Sequence, residues 1–106
     1  MDATKKKRLQ SAGWAVGSAD EFLGLSAEEA ALLEMRLALS ASLRERRTKT
    51  RLTQAGLAKR LGSSQSRVAK MEAGDPSVSL DLLIRALLAV GATRHDVARA
   101  LTKRVA

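Results

Sequence analysis

Four short segments of this chain carry the same start and stop signals, and this repetition restricts the fold more than any other feature of the sequence. A hydroxyl residue that can cap a helix precedes each segment, namely Thr53, Ser64, Ser79 and Thr93. A glycine follows the first three segments, namely Gly62, Gly74 and Gly91. Apolar residues recur at helical spacing within the segments, and none alternates as a strand does. The pattern predicts four short helices: Gln54–Leu61, Gln65–Ala73, residues 80–90 and residues 94–104.

A longer helix is predicted ahead of these four, over residues 27–47. Ser26 and Glu29 match a capping box at its start. One apolar stripe follows, spaced three, four and four residues apart: Leu32, Met35, Leu39 and Leu43. The first turn is acidic and the last turn is basic, as the helix dipole prefers. A second capping-box pattern, Ser18 with Glu21, predicts a short helix that ends at Gly24.

The composition also favours helices. Trp14 and Phe22 are the only aromatic residues, so leucine, alanine, valine and methionine must fill the core, and these suit helices better than strands. We predict an all-α fold, a five-helix domain with an N-terminal helical extension. Residues 1–13 are expected to form a flexible basic tail. Residues 14–106 are expected to form a single domain, with an acidic extension at 14–34, a core at 36–91 and a C-terminal helix at 93–106.

Several functional classes are disfavoured by what the sequence lacks. There is no cysteine, so neither a disulfide nor a thiolate metal site is possible, and we predict no metal and no cofactor. His95 is the only histidine and no glycine-rich phosphate loop is present, so we predict that the chain is not an enzyme. No apolar run approaches the ~20 residues that span a bilayer, which predicts a soluble, cytoplasmic protein without membrane contact.

Charge is distributed unevenly along the chain. Between residues 44 and 70 nine basic residues face a single acid, Glu45, so this stretch carries +8, which equals the net charge of the whole chain. The basic residues are Arg44, Arg46, Arg47, Lys49, Arg51, Lys59, Arg60, Arg67 and Lys70. Residues 18–34 contain five acids and no base. A basic region of this kind is expected of a nucleic-acid binder, although a solvated basic surface is the alternative. RNA is disfavoured because both aromatic residues lie far from the basic stretch.

The first two short helices are separated by only three residues, so they must cross steeply. Ala58 supplies the small side chain that such a crossing needs, and Gly62 supplies the positive φ that ends the first helix sharply. Four apolar residues fall on the inner faces of the pair: Leu57, Leu61, Val68 and Met71. This combination is a helix-turn-helix signature.

The outer face of the second helix of this pair is polar or small and contains no acid. We predict that it reads base edges in the major groove of double-stranded DNA through Gln65, Ser66, Arg67 and Lys70. Gln65 suits adenine, and Lys70 or Arg67 suits guanine. Arg67 lies at the edge of the face, so a phosphate contact is the alternative for it. Phosphate contacts are predicted at or near the helix starts, for Gln54, Ser63, Ser64 and Arg51. A solvated face or a protein-interaction surface is the alternative, but a solvated face usually includes acids and a protein-interaction surface would not need to lack them.

The segment from Leu52 to Gly74 resembles the core of the Cro/C1-type (Xre) helix-turn-helix family, to which the phage repressors belong. The resemblance covers about residues 36–101 and implies a phage-repressor-like domain that binds operator DNA as a homodimer. It implies a phosphate-binding role for Gln54 and base-reading roles for Gln65, Ser66 and Lys70. It also implies a structural ion pair between Arg47 and Glu72. The expected dimer surfaces are the long first helix or the C-terminal stripe of Val97, Leu101 and Val105.

A narrower resemblance, to HigA-type regulators, lies in residues 22–29 and 79–83. Many such regulators are antitoxins, so it implies a basic RelE-like ribonuclease toxin as partner. Phe22 would then be the apolar anchor, and the acids Asp20, Glu21, Glu28 and Glu29 would attract the toxin. The alternative is that the apolar residues dock on the chain's own helical core while the acids face water.

Overall fold

The computed structural model describes residues 24–103, and these residues form five α-helices and no strand. The helices are α1 (Ala27–Lys49), α2 (Gln54–Leu61), α3 (Gln65–Ala73), α4 (Leu80–Ala89) and α5 (Arg94–Thr102). The predicted all-α fold is therefore confirmed. The bounds of α2 and α3 are those predicted, whereas α1 continues two residues further, α4 ends one residue earlier and α5 two residues earlier. The predicted basic tail and the short helix after Ser18 lie outside the described residues.

Hydroxyl caps begin the helices at the predicted residues. Thr53 accepts a hydrogen bond from the Gly56 backbone, and Ser64 accepts one from the Arg67 backbone. Ser79 caps α4 in the same way, and Thr93 forms a complete capping box with Asp96 at the start of α5. Each cap satisfies a backbone N–H that has no partner within its own helix.

Four helices end in one hydrogen-bonding pattern. A residue in the left-handed conformation donates its N–H to the carbonyl three residues earlier, and the following N–H reaches the carbonyl five residues earlier. At the ends of α2, α3 and α4 the left-handed residue is Gly62, Gly74 or Gly91. At the end of α1 it is Arg51, with φ of 60°, the one non-glycine residue of the described range that has a positive φ. This end carries no glycine, which is why its position was not predicted.

By its contacts the chain divides into two units, Met1–Met35 with Arg104–Ala106, and Arg36–Lys103. The second unit contains the hydrophobic core, to which all five helices contribute. Its largest fully buried side chains are Leu39, Leu43, Leu57, Val68, Met71, Leu83 and Leu87. In the first unit Leu32, which begins the apolar stripe of α1, is 42% exposed.

The C-terminal helix packs against the chain's own core. Val97 is only 8% exposed and belongs to the core, and Leu101 is half-buried against it. The expectation that this stripe offers a free dimer surface is therefore wrong for Val97, and Val105 lies outside the described residues. An ion pair between Arg46 and Asp96, with 3.0 Å between Nη2 and Oδ2, joins α5 to α1. Among residues 24–103 no helix is both long and apolar enough to cross a membrane.

Candidate nucleic-acid interface

The orientation of α3 is set by its contact with α2. The three-residue turn is closed by hydrogen bonds from Gly62 N to Lys59 O and from Ser63 N to Ala58 O. Ala58 is buried in the hydrophobic core. Leu57, Val68 and Met71 are fully buried, and Leu61 is half-buried against them. Because one face of α3 is held in the core, the opposite face must point outward.

The outward face of α3 carries all four predicted base-reading residues. Gln65, Ser66, Arg67 and Lys70 are each exposed. At 3.6 residues per turn, Ser66 and Lys70 lie near the middle of this face, and Gln65 and Arg67 lie on opposite edges, roughly 160° apart. The four residues therefore do not form one cluster: Ser66, Arg67 and Lys70 line a common groove, and Gln65 lies outside it.

This groove has a volume of about 340 Å³, and the loop between α3 and α4 forms its second wall. Ser64, Ser77 and Val78 complete its lining. No role was predicted for Ser77 or Val78 from the sequence. The groove thus combines two cationic side chains with three serine residues and no acid, which is a suitable chemistry for phosphate oxygens.

The α3–α4 loop is held in place from both sides. Arg36 on α1 donates from Nη1 to the backbone carbonyl of Val78, 42 residues away. Within the loop, Ser77 N donates to Asp75 Oδ1 over 2.8 Å. Hydrogen bonding with Ser77 lowers the pKa of the Asp75 carboxyl group. The Asp75–Ser77 turn was readable from residue types, whereas the long-range contact of Arg36 was not.

The predicted phosphate-binding residues lie around the two helix starts. Ser64 caps α3, and its Oγ lies 3.2 Å from Ser66 Oγ. Ser63 is half-buried in the turn, and Arg51 is exposed just before α2. The side-chain amide of Gln54 donates to Glu72 Oε1 over 3.1 Å, so this amide nitrogen is already engaged inside the protein.

Arg47 and Glu72, for which a structural ion pair was predicted, are brought together by the fold. Arg47 Nε lies 2.5 Å from Glu72 Oε2, and Nη2 lies 3.0 Å from Oε1. The two side chains are only 13% and 4% exposed. The hydrogen bond to Glu72 raises the pKa of the Arg47 guanidinium group. A single carboxylate thus connects the C-terminal end of α1 and the start of α2 with the last turn of α3.

The electrostatic character of this surface is basic. Exposed cations surround α2 and α3, namely Lys49, Arg51, Lys59, Arg60, Arg67 and Lys70. Glu45 is the only acid between residues 44 and 70, and the charge of Glu72 is compensated by Arg47. No group of three potential metal ligands occurs within residues 24–103. The chemistry of the surface suits a polyanion.

A comparison with models of protein families matches residues 38–100 to the family described as Helix-turn-helix domain. The match covers more than half of the chain. The chain belongs to this helix-turn-helix family. Comparisons with curated proteins and with solved structures found no match. The matched range begins within α1 and ends within α5, so it includes the α2–turn–α3 pair and the packing that holds it. The helix-turn-helix domain marks the chain as a DNA-binding regulator.

The acidic residues predicted to bind a protein partner precede the helix-turn-helix in the sequence. Glu28 and Glu29 are exposed in the first turn of α1. Glu29 forms a capping box with Ser26, and hydrogen bonds from the Ser26 backbone and side chain lower its pKa. The other predicted partner residues, Asp20, Glu21 and Phe22, lie outside the described residues.

Proposed function

We propose that this helix-turn-helix protein is a sequence-specific transcriptional repressor of the Xre type, which reads the major groove of operator DNA as a homodimer. The observation that carries the proposal is the exposed, acid-free face of α3, whose opposite face is fixed in the core by Val68 and Met71. A helix held in this way keeps its polar side chains at a constant position relative to the DNA, as readout of base edges requires.

The base-reading roles fall to Gln65, Ser66 and Lys70. Gln65 can pair in a bidentate manner with adenine, Lys70 can donate to guanine O6 and N7, and Ser66 can bond to either base. Arg67 was predicted to read bases too. Its position on one edge of the reading face favours a phosphate contact instead.

The phosphate-binding roles fall to residues around the helix starts. Ser63, Ser64 and Arg51 present hydroxyl groups or a cation to the backbone of the duplex. Gln54 contributes through its backbone N–H at the first position of α2 and through the second N–H of its side-chain amide, since only one of the two donates to Glu72. These contacts fix the register of α3 on the DNA and add affinity for every sequence.

A dimer is proposed because a single reading helix contacts too few base pairs for selectivity over a genome. Two copies would place their α3 helices in successive major grooves, about 34–36 Å apart, so the operator is expected to be an inverted repeat. A repressor dimer at such a site blocks access to the promoter it covers.

The test begins with selection of binding sites from random DNA. The selected sequence is then compared as an inverted repeat and as a single half-site, with stoichiometry measured by analytical ultracentrifugation. We expect two protein chains per inverted repeat and much weaker binding to the half-site. Full affinity for a half-site with one bound chain would contradict the dimer, and an absence of selected sequence would contradict specific readout.

A second candidate function is that of an antitoxin that neutralises a basic RelE- or HigB-like ribonuclease toxin and regulates its own operon. The observation that favours it is the surface of the first turns of α1, where Glu28 and Leu32, one helical turn apart, are both exposed. An apolar group beside acids suits a basic partner. Deletion of residues 1–25 should abolish toxin binding and leave operator binding mostly intact; persistence of both would make the segment merely structural.

A further inference from the structure

Four helices, α1 to α4, end with a residue in the left-handed conformation, and only at the end of α1 is this residue not a glycine. At the ends of α2, α3 and α4 the left-handed position is occupied by glycine, which adopts a positive φ without strain. At the end of α1 the same two hydrogen bonds are made, from Arg51 N to Thr48 O and from Leu52 N to Arg47 O. An arginine there is strained, because its Cβ atom approaches the following carbonyl oxygen. The fold would therefore be more stable with glycine at position 51.

The described part of the protein gives no compensation for this strain. Arg51 is exposed, and its side chain forms no hydrogen bond and no ion pair with any residue between 24 and 103. Lys49, two residues before it, disfavours a further cation, since it is exposed and forms no ion pair within residues 24–103, whereas Arg46 and Arg47 are paired with Asp96 and Glu72. A strained backbone that carries an unpaired cation is typical of a functional position.

The backbone next to Arg51 is fixed relative to the reading helix. Leu52 O accepts a hydrogen bond from Arg47 Nη1 over 2.8 Å, and the same guanidinium group binds Glu72 in the last turn of α3. Arg51 is thus one residue from a carbonyl that is joined to α3 through a single side chain. The backbone next to Arg51 is therefore linked to α3 by hydrogen bonds, and the exposed side chain of Arg51 extends from this point.

We propose that Arg51 lowers the stability of the fold but raises its affinity for DNA. Arginine is kept at this strained position because its side chain binds a phosphate of the operator backbone. This inference rests on the proposed function, and it explains why one helix end of four departs from glycine. It makes Arg51 a contact to the DNA backbone, which adds affinity but carries no base preference.

The test uses three substitutions at this position in the full chain. Arg51→Gly removes both the side chain and the strain, Arg51→Ala removes the side chain and keeps the strain, and Arg51→Lys keeps the charge. Arg85→Ala is the matched control, because Arg85 is exposed on α4, outside the helix-turn-helix. For each protein the midpoint of thermal unfolding and the DNA affinity at several salt concentrations are measured.

We expect Arg51→Gly to unfold at a higher temperature than the wild type and yet to bind DNA about tenfold more weakly. The slope of log affinity against log salt should fall by about one. Arg51→Ala should lose the same affinity without gaining thermal stability, and Arg51→Lys should keep most of the salt slope. The control should bind like the wild type.

Wild-type affinity and salt slope in Arg51→Gly would overturn the inference, and so would a lower unfolding temperature in that variant. These results differ from a failure of the proposed function itself. If Gln65→Ala changes base preference while Arg51→Gly binds normally, only the role of Arg51 is wrong. If the wild-type protein selects no DNA sequence, the proposed function is wrong and the thermal comparison still reports on the strain.

Discussion

Arg47 on α1 and Glu72 on α3 are separated by 25 residues in the sequence, and their side chains meet in a two-point ion pair inside the protein. Gln54 donates to the same carboxylate, and Arg47 also donates to Leu52 O. The nearly buried Glu72 carboxylate thus links α3 to α1 and α2, and Arg47 adds the turn between α1 and α2. The orientation of the reading helix depends on this carboxylate as well as on apolar packing.

Removal of Glu72 is expected to be strongly destabilising. Glu72→Ala leaves the Arg47 guanidinium group nearly buried without its partner, so the free energy of unfolding should fall by roughly 3–5 kcal/mol. Urea unfolding followed by circular dichroism measures this loss. Glu45→Ala is the control, because Glu45 is exposed on the same α1 and forms no ion pair within residues 24–103. A loss below 1 kcal/mol for Glu72→Ala would contradict the structural role of the pair.

Alanine substitutions at Gly74 and Gly62 separate the cost of backbone strain from the cost of a steric clash. Both are left-handed, with φ of 72° and 65°. A Cβ atom at Gly74 would lie 2.8 Å from Leu37 Cδ2, whereas one at Gly62 would have no atom within 4 Å. Gly62→Ala should therefore cost about 1–2 kcal/mol from strain alone, and Gly74→Ala should cost more. Equal losses in urea unfolding would contradict this prediction and would show that the Leu37 side chain moves aside without cost.

The helix ends differ in how well the sequence predicts them. Hydroxyl caps and glycines act through local geometry, so they located α2 and α3 correctly. The end of α1 carries the same geometry on Arg51, whose residue type gives no signal for a left-handed position. The ends of α4 and α5 were predicted too late, because apolar or basic sequence continues past the last residue of each helix and no glycine follows it directly.

The candidate site was predictable to the same extent and for the same reason. The outward face of α3 follows from the helical period, since Val68 and Met71 must be buried and the residues on the opposite side of the helix must point away. The groove beside Arg67 was missed because Ser77 reaches it only when the α3–α4 loop folds back. That loop is held by Arg36, far away in sequence, and neither residue type indicates such a contact.

Asp96 is expected to make the stability of the domain dependent on acid pH. The Thr93 backbone N–H, then the side chains of Arg99 and Thr93, hold the pKa of the Asp96 carboxyl group well below its usual range. The unfolded chain protonates this group near pH 3.9. The ionised form therefore contributes stability above about pH 4, and this contribution is lost as the pH falls toward the lower pKa of the folded state.

The measurement for Asp96 compares the unfolding temperatures of the wild type and Asp96→Asn at pH 6 and at pH 3. The wild type should be the more stable of the two at pH 6, and the difference should shrink at pH 3. Glu45→Gln serves as the control for loss of an exposed acid on α1. A difference that stays constant between the two pH values would show that the Asp96 carboxylate has no special partners in the folded state.

The central claim, that α3 reads base edges with its acid-free face, is tested most directly by sequence selection. Random duplex DNA is selected in parallel with the wild type, Gln65→Ala, Lys70→Ala and the control Arg94→Ala, whose arginine is exposed on α5. Loss of a good base contact costs about 1–3 kcal/mol and relaxes preference at one base pair. We expect Gln65→Ala and Lys70→Ala each to relax the selected sequence at a different position, with Arg94→Ala selecting the wild-type sequence. Retention of the wild-type base preference by both α3 variants would contradict the account, because α3 would then not be the helix that reads the DNA.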